Sequence, residues 1–473
     1  MIPKKVKPRL SKLSIVTLVL VLLFSGLIIA QWSCSGSGKG NNGSDSASKP
    51  PTAGSGSGIT PAISGNVPTE VNIPNPDSNA VNNRPAFDVF SWQTFIALCW
   101  PVDTAKRGVP LTPDDPNTML KMTNSTPVVW TSYKNQWDLF GQGNNTPSAW
   151  NSWADPVNLC TNQPVKHVFG SAKSDMLPGE GNESLSVPLI DQRKNYALYE
   201  IRYNEVQYNF IVNNSLYFSK NLYNYQKANG GAVTMPISNK TTQGSILIKA
   251  AWKHITPQDD PSRYYIINEI VYDPVTKKCT KEMMGLVGLH IAQKVDQFGE
   301  WVWSSFEQVD NVPGAANAKA PYTFNNGTNV PSTTNHGFAN KPTSKVLNPD
   351  SASRVPVQVV RLNEIPTTPS VNNTVDINKI YQAALSGTWL KYYQLVITQW
   401  PSNAGQFKQF TQNGIYPADC GGAFPVNNCV NVTMETYFQN MNDAAGAGGN
   451  SCMSCHYQAP NTDFSWSLQL RSH

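Results

Sequence analysis

The segment Ser451-Cys452-Met453-Ser454-Cys455-His456 sets two thiols three positions apart, with an imidazole directly after the second. Three chemistries use such a set. Two thiolates at this spacing reach the two vinyl groups of one haem and form thioethers, and the histidine that follows is delivered beneath the iron as an axial ligand. A tetrahedral zinc site needs two further ligands, and the nearest paired cysteines, Cys420 and Cys429, have eight residues between them instead of the usual few. A redox disulfide of the thioredoxin kind opens a helix after a strand, which the glycine-rich approach "AGAGGNS" does not offer. The expectation is one covalent haem c on Cys452 and Cys455, with His456 on its iron.

Only residues 457–473 follow His456, so the far side of the iron is expected to be walled from upstream. His290, in "GLVGLHIA", would as a strand residue share a face with Leu286, Gly288 and Ala292, and small neighbours leave room for a flat macrocycle. Met434 and Met441 would lie with Val430 and Phe438 on one face of a helix over 430–443. A strand histidine also serves as an ordinary core residue and helix methionines fill gaps, so His290, either methionine, water and an open position all stand. Glu307 and Asp310, in "FEQVDN", read either as a proton-handling cluster with His290 or as surface carboxylates ending a strand. Trp301 and Trp303 share a strand face and could line the cofactor or simply pack.

The start of the chain bears on the compartment. Lys4, Lys5, Lys7, Arg9 and Lys12 precede an uncharged apolar run, Leu13 to Ala30, which reads as an export signal peptide long enough to stay as an anchor. Cys34, in "QWSCSGSG", resembles a bacterial lipoprotein site, which implies lipidation there. Export makes oxidation the default for thiols. Cys420 and Cys429 are accordingly expected to close a small disulfide loop, and Cys99, Cys160 and Cys279 leave one odd thiol. The five leader cations equal the chain's formal net charge of +5, so the remainder is balanced and nucleic acid is a disfavoured partner.

Four regions must position the motif. Residues 1–33 form the leader or anchor, and 34–85, poor in aromatics and in apolar periodicity, form a flexible tether. Residues 86–400 form an α+β domain. "FDVFSWQTFIALCW" and "VVWTSYKNQWDLF" have helical spacing, while the stretches from Tyr196 to Val212, Ser245 to Ile255, Arg263 to Asp273, Met284 to Val295 and Glu300 to Val309 read as strands. "NSLYFSKNLYNYQKA" and "NKIYQAALSG" read as helices and "TWLKYYQLVITQW" as a further strand. The fold class is a central, mostly antiparallel sheet with short flanking helices, on which a helical or loop-like haem-bearing segment, 401–473, packs.

The chain resembles exported bacterial proteins of the cytochrome c family that carry a single C-terminal haem motif. The resemblance runs through "FSWQTFIALCWP", "VWTSYKNQWDLF", "GLVGLHIAQKV", "WVWSSFEQVDNVPG", "YYQLVITQWP", "NVTMETYFQN", "SCMSCHYQAP" and "DFSW", over about residues 86 to 470. It implies a monohaem cytochrome and no particular reaction. The expected function is electron transfer with a redox partner protein or small-molecule donor or acceptor, in the periplasm or at the outer-membrane surface, membrane-anchored through the N-terminus. The alternative is a haem c-dependent oxidoreductase, peroxidase-like or oxidising a small molecule, with an open sixth iron site.

Overall fold

The computed structural model describes residues 58–73, 80–141, 145–153, 188–273, 278–297, 299–328, 348, 350–401, 423–424, 429–439, 451–456 and 459–472. Phe87, Phe90, Phe95 and Leu98 recur at helical spacing, and helix α1 (Ala80–Leu98) buries them together with Asp88, Ser91 and Thr94. A helix buried on more than its apolar stripe must satisfy its polar groups internally. Asp88 accepts from Thr374 Oγ1 at 2.6 Å and Thr398 Oγ1 at 2.8 Å, and Ser91 Oγ lies 2.8 Å from both Ser304 Oγ and Thr398 Oγ1. Burial pushes the Asp88 carboxyl up to about 6 against the pull of Arg84 and the two threonines. The helix ends just before Pro101, which cannot continue it.

After α1 come α2 (Pro116–Leu120), β1 (Lys134–Asn135), α3 (Gln136–Phe140), β2 (Leu198–Tyr203), α4 (Glu205–Asn213) and α5 (Ser219–Ala228). The central strands follow: β3 (Ile246–His254), β4 (Ile266–Asp273), β5 (Lys278–Val295) and β6 (Glu300–Gln308). Helix α6 (Thr374–Ala384), strands β7 (Tyr393–Pro401) and β8 (Ala423–Phe424), and helices α7 (Cys452–His456) and α8 (Trp466–Arg471) complete the order. The strands form one eight-stranded sheet in the order β1-β2-β3-β5-β6-β7-β8, with β4 paired to β5. Among the described residues every strand pairing is antiparallel. Gly285 of β5 faces both Lys253 and Ile266, so β3 holds one edge of β5 while β4 and β6 share the other in tandem. The fold is α+β around an antiparallel sheet, as expected.

Three local expectations are corrected. The tether does not extend to residue 85: Ile59, Ile63 and Val67 pack against the main core, and Val71 is buried with Phe87, Phe90 and Trp400. Gln293 Nε2 donates to Pro68 O at 2.5 Å and Gly65 N to Pro113 O at 2.8 Å, giving this extended stretch the partners its backbone lacks in a helix or strand. The strand from Tyr196 stops at Tyr203, because Asn204 accepts from Gln207 N at 3.1 Å and starts α4. The helix over 430–443 is absent from its described part: residues 431–435 form turns and only Thr436–Phe438 is helical, as one 3₁₀ turn.

Residues 1–57, and with them the leader, Cys34 and the start of the tether, lie outside the described residues. Among the described residues no helix is long and apolar enough to cross a membrane.

Candidate haem-binding site

The register of β3, β5, β6 and β7 sets out one face of the sheet in rows. Gly288 stands opposite Ala251 and Glu307, and His290 opposite Lys249 and Ser305. Ala292 stands opposite Leu247 and Trp303, and Lys294 opposite Trp301. On β7, Ile397 faces Ser305 and Gln399 faces Trp303. Period-two alternation keeps Gly288, His290, Ala292 and Lys294 on this face, the first three as expected, whereas the register shift at Ala251/Trp252 turns Leu286, also expected here, to the other face, on which α1 packs.

Helix α7 carries Cys452, Met453 and His456 onto the Trp303 row. Met453 N donates to Gln399 Oε1 at 2.8 Å, and its buried side chain joins the main core with Phe464 and Leu468. Cys452 is half-buried and packs beside Ile397 and Cys429. The side chain of Cys455 lies outside the described residues. The ring of His456 meets that of Trp303 with centroids 4.5 Å apart at 46°, and Trp301 follows at 6.1 Å from Trp303.

His456 Nδ1 lies 2.7 Å from the Phe464 carbonyl oxygen. A carbonyl only accepts, so Nδ1 carries the proton and Nε2 the lone pair, the tautomer an iron requires. Behind that carbonyl the chain turns through two left-handed residues, Asp463 and Phe464, with φ of 54° and 64°. Such a turn needs a clamp, and Asp463 supplies it. Its carboxylate pairs with Lys294 Nζ with neither side chain exposed, and accepts from Met235 N at 2.6 Å. Trp301 Nε1 donates to the Asp463 carbonyl at 3.2 Å. Burial pushes the nearby Glu300 carboxyl up to about 8; Lys294 opposes this and the Asp463 charge adds to it.

At the other end of the same face, residues 431–435 form a turn over Gly288. Asn431 Nδ2 donates to Ser305 Oγ at 3.1 Å and to Phe306 O at 2.9 Å, and Val432 N donates to Glu307 Oε1 at 2.6 Å. A Cβ on residue 288 would run into Thr433 Oγ1, so glycine there lets the turn sit this close without displacing the threonine. The turn carries Glu435, whose Oε2 stands 3.4 Å from His290 Nε2.

Between these two covers, Lys249 and His290 are half-buried where their neighbours along β5 and β6 are buried. His290 Nε2 is enclosed without an aligned hydrogen-bond partner, and so is Trp303 Nε1. The donor set that fits a haem is the motif's own: two cysteines at the attachment spacing and a histidine whose Nδ1 is held by a carbonyl, leaving Nε2 to bind. Among the described residues no three or more His, Cys, Asp or Glu side chains are grouped to hold a metal ion. A haem asks less of the protein: two sulfurs and one or two axial groups.

The remaining candidates fall elsewhere. Met434 is buried with Val287, Tyr199 and Val432 in a cluster separate from the one holding Met453. Met441 and Cys420 lie outside the described residues, and with Cys420 the expected disulfide; Cys429 is buried. Cys279 is disulfide-bonded, while Cys99 is a buried thiol whose pKa burial drives well up. Glu307 and Asp310 are not the surface groups that one reading made them. Glu307 is buried and pairs with Arg361, and Asp310 takes two bonds from Arg263 at 2.5 and 2.6 Å. Sequence reasoning missed Asp463, Glu435 and Gln399, of which only Asp463, in the "TDFSW" that closes the motif segment, had a local signal. No family model, curated protein or solved structure matches this chain.

Proposed function

We propose that this chain is an exported monohaem c-type cytochrome that transfers electrons outside the cytoplasm. Cys452 and Cys455 would hold the haem through thioethers and His456 Nε2 would bind its iron. Bound there, the haem supplies a one-electron couple. The observation that carries the reading is the 2.7 Å contact from His456 Nδ1 to the Phe464 carbonyl, which fixes the ligating tautomer beside a Cys-x-x-Cys pair.

The chain's own groups do the rest. The Lys294–Asp463 pair holds the turn that carries the Phe464 carbonyl against the sheet, and that carbonyl orients the His456 imidazole. Trp303 and Trp301 keep water from the His456 side, each being less than a tenth exposed. The leader and Cys34 support attachment to a membrane surface, and the disulfide at Cys279 fits an oxidising compartment. One haem motif with no second cofactor motif favours a carrier, working with a redox protein or a small-molecule donor or acceptor.

The test is expression of the full chain with haem-maturation machinery, followed by intact mass and a pyridine haemochrome spectrum. The expected result is the mass of one haem and a spectrum typical of two thioethers, both lost in a Cys452→Ser/Cys455→Ser variant. An unmodified mass in the wild type would end the proposal.

A further inference from the structure

We propose that a cavity beside the start of β7 binds a small organic monocarboxylate, held by Arg361 and Gln394. Nothing in this depends on a haem. Glu307, which anchors Arg361, lies four residues along β6 from Trp303, the residue that His456 touches.

The cavity has a volume of about 580 Å³, within the roughly 300–1,000 Å³ of small-molecule sites. Helix α6, residues 313–316, the segment 360–367 and Gln394 line it. The helix is fixed in place by its own amides, along the edge of β7 that β6 leaves open. Asn378 Nδ2 donates to Leu395 O at 2.8 Å and its Oδ1 accepts from Leu395 N at 2.9 Å, while Gln382 Nε2 donates to Tyr393 O at 2.8 Å. Val375, Asn378, Lys379 and Gln382 therefore present one face of α6 to the cavity.

Two donors converge there. Gln394 stands opposite Glu307 across β6 and β7, and Arg361 pairs with that same Glu307. Glu307 has no exposed surface, and its other oxygen accepts from Val432 N at 2.6 Å, so it holds Arg361 rigidly. Arg361 keeps 11% of its side-chain surface where it lines the cavity. Of its guanidinium nitrogens, Nη2 is on Glu307 and Nη1 is enclosed, which leaves Nε as the open donor. Gln394 is 5% exposed, yet among the described residues no group bonds its amide, and that amide is not fully enclosed. A buried amide is rarely left so. A guanidinium N–H and an amide N–H on neighbouring side chains can serve the two oxygens of one carboxylate.

Charge and shape set the class. Glu307 offsets Arg361, and Lys379, exposed on the lining, is opposed by Glu364 and lies 3.8 Å from Asp376. No excess of positive charge remains to hold a phosphate dianion, whereas a single carboxylate needs only the two donors. Val360, Ile365, Val375 and Ala315 give much of the remaining lining an apolar character, which suits a hydrocarbon body.

The experiment uses the full-length chain with benzoate and isovalerate as probes. Benzamide serves as the neutral counterpart of benzoate, and inorganic phosphate as the rival anion. Calorimetry reads affinity and methyl NMR reads place: the Ile365 line, identified by its loss in Ile365→Val, should shift with either carboxylate. Benzamide and phosphate should bind at least about 10-fold more weakly than benzoate, and Arg361→Lys should weaken benzoate by about 10- to 100-fold. Should the change at Arg361 unfold the protein by unseating Glu307, two variants leave that pair intact. Gln394→Leu should weaken benzoate about 10-fold, and Ala316→Trp, which fills the cavity from an exposed loop, should abolish its binding.

The proposal is overturned if neither carboxylate binds saturably, or if the Ile365 line stays put on binding. Equal binding of benzamide or phosphate would remove the carboxylate class, and affinities unchanged in the folded variants would place the ligand elsewhere.

Discussion

Lys294 and Asp463 form an ion pair with neither side chain exposed, joining the central strand of the sheet to the turn that aims His456. Such a pair adds little over an apolar substitute, yet removing one member leaves a buried charge alone. Asp463→Asn should therefore destabilise the protein by about 3–5 kcal/mol in urea denaturation, and Lys294→Met/Asp463→Leu together should cost less than Asp463→Asn alone. Equal costs would mean that the pair is not what holds the turn.

Glu300 gives stability a pH dependence of known sign. An ordinary glutamate titrates near about 4.3, while in the folded protein burial holds this one protonated up to about 8. Between those values the folded state binds more protons than the unfolded one, so this group's contribution to stability falls as pH rises through the window and is level above it. Urea midpoints across that range should decline less steeply in Glu300→Gln than in the wild type. Parallel profiles would show that Glu300 is charged in the fold.

Gly288→Ala should push the 431–435 turn off the sheet, since its Cβ would lie 2.1 Å from Thr433 Oγ1. The expected cost is about 1–3 kcal/mol. Adding Thr433→Ala should recover part of it, giving a coupling of about 0.5–3 kcal/mol in a double-mutant cycle. Strict additivity would place the strain elsewhere.

Met434→Leu should leave the spectrum of the holoprotein unchanged and cost less than about 1.5 kcal/mol, as a volume-conserving core exchange does. It packs with Val287, Tyr199 and Val432, in a cluster separate from the one that holds Met453. Loss of a low-spin signal in this variant would make Met434 a ligand.

The sheet was legible because its strands carry aromatic and β-branched residues in runs divided by Gly, Asn, Asp and Pro, and alternation alone put His290 on the right face with Gly288 and Ala292. Three features escaped. Ile59, Ile63, Val67 and Val71 reach the cores at every fourth residue, but Pro61, Gly65 and Pro68 stand among them and exclude the helix that this spacing would otherwise signal. Residues 430–439 have helical spacing, but the side chains of Asn431 and Glu435 bond the backbone of their own turn and outcompete the helix. The contacts at the site, Lys294 with Asp463 and His290 with Glu435, span more than a hundred residues and have no local signature.

The left-handed pair Asp463–Phe464 bears on how portable the motif is. A Cys-x-x-Cys-His pentapeptide is often treated as a cassette, and here the sulfurs and imidazole would indeed travel with the tail. The carbonyl that sets the proton on His456 would not keep its place, because Lys294, Trp301 and Met235 anchor its turn from distant parts of the chain. A graft of the tail onto a foreign scaffold would carry the attachment chemistry and leave behind the tuning.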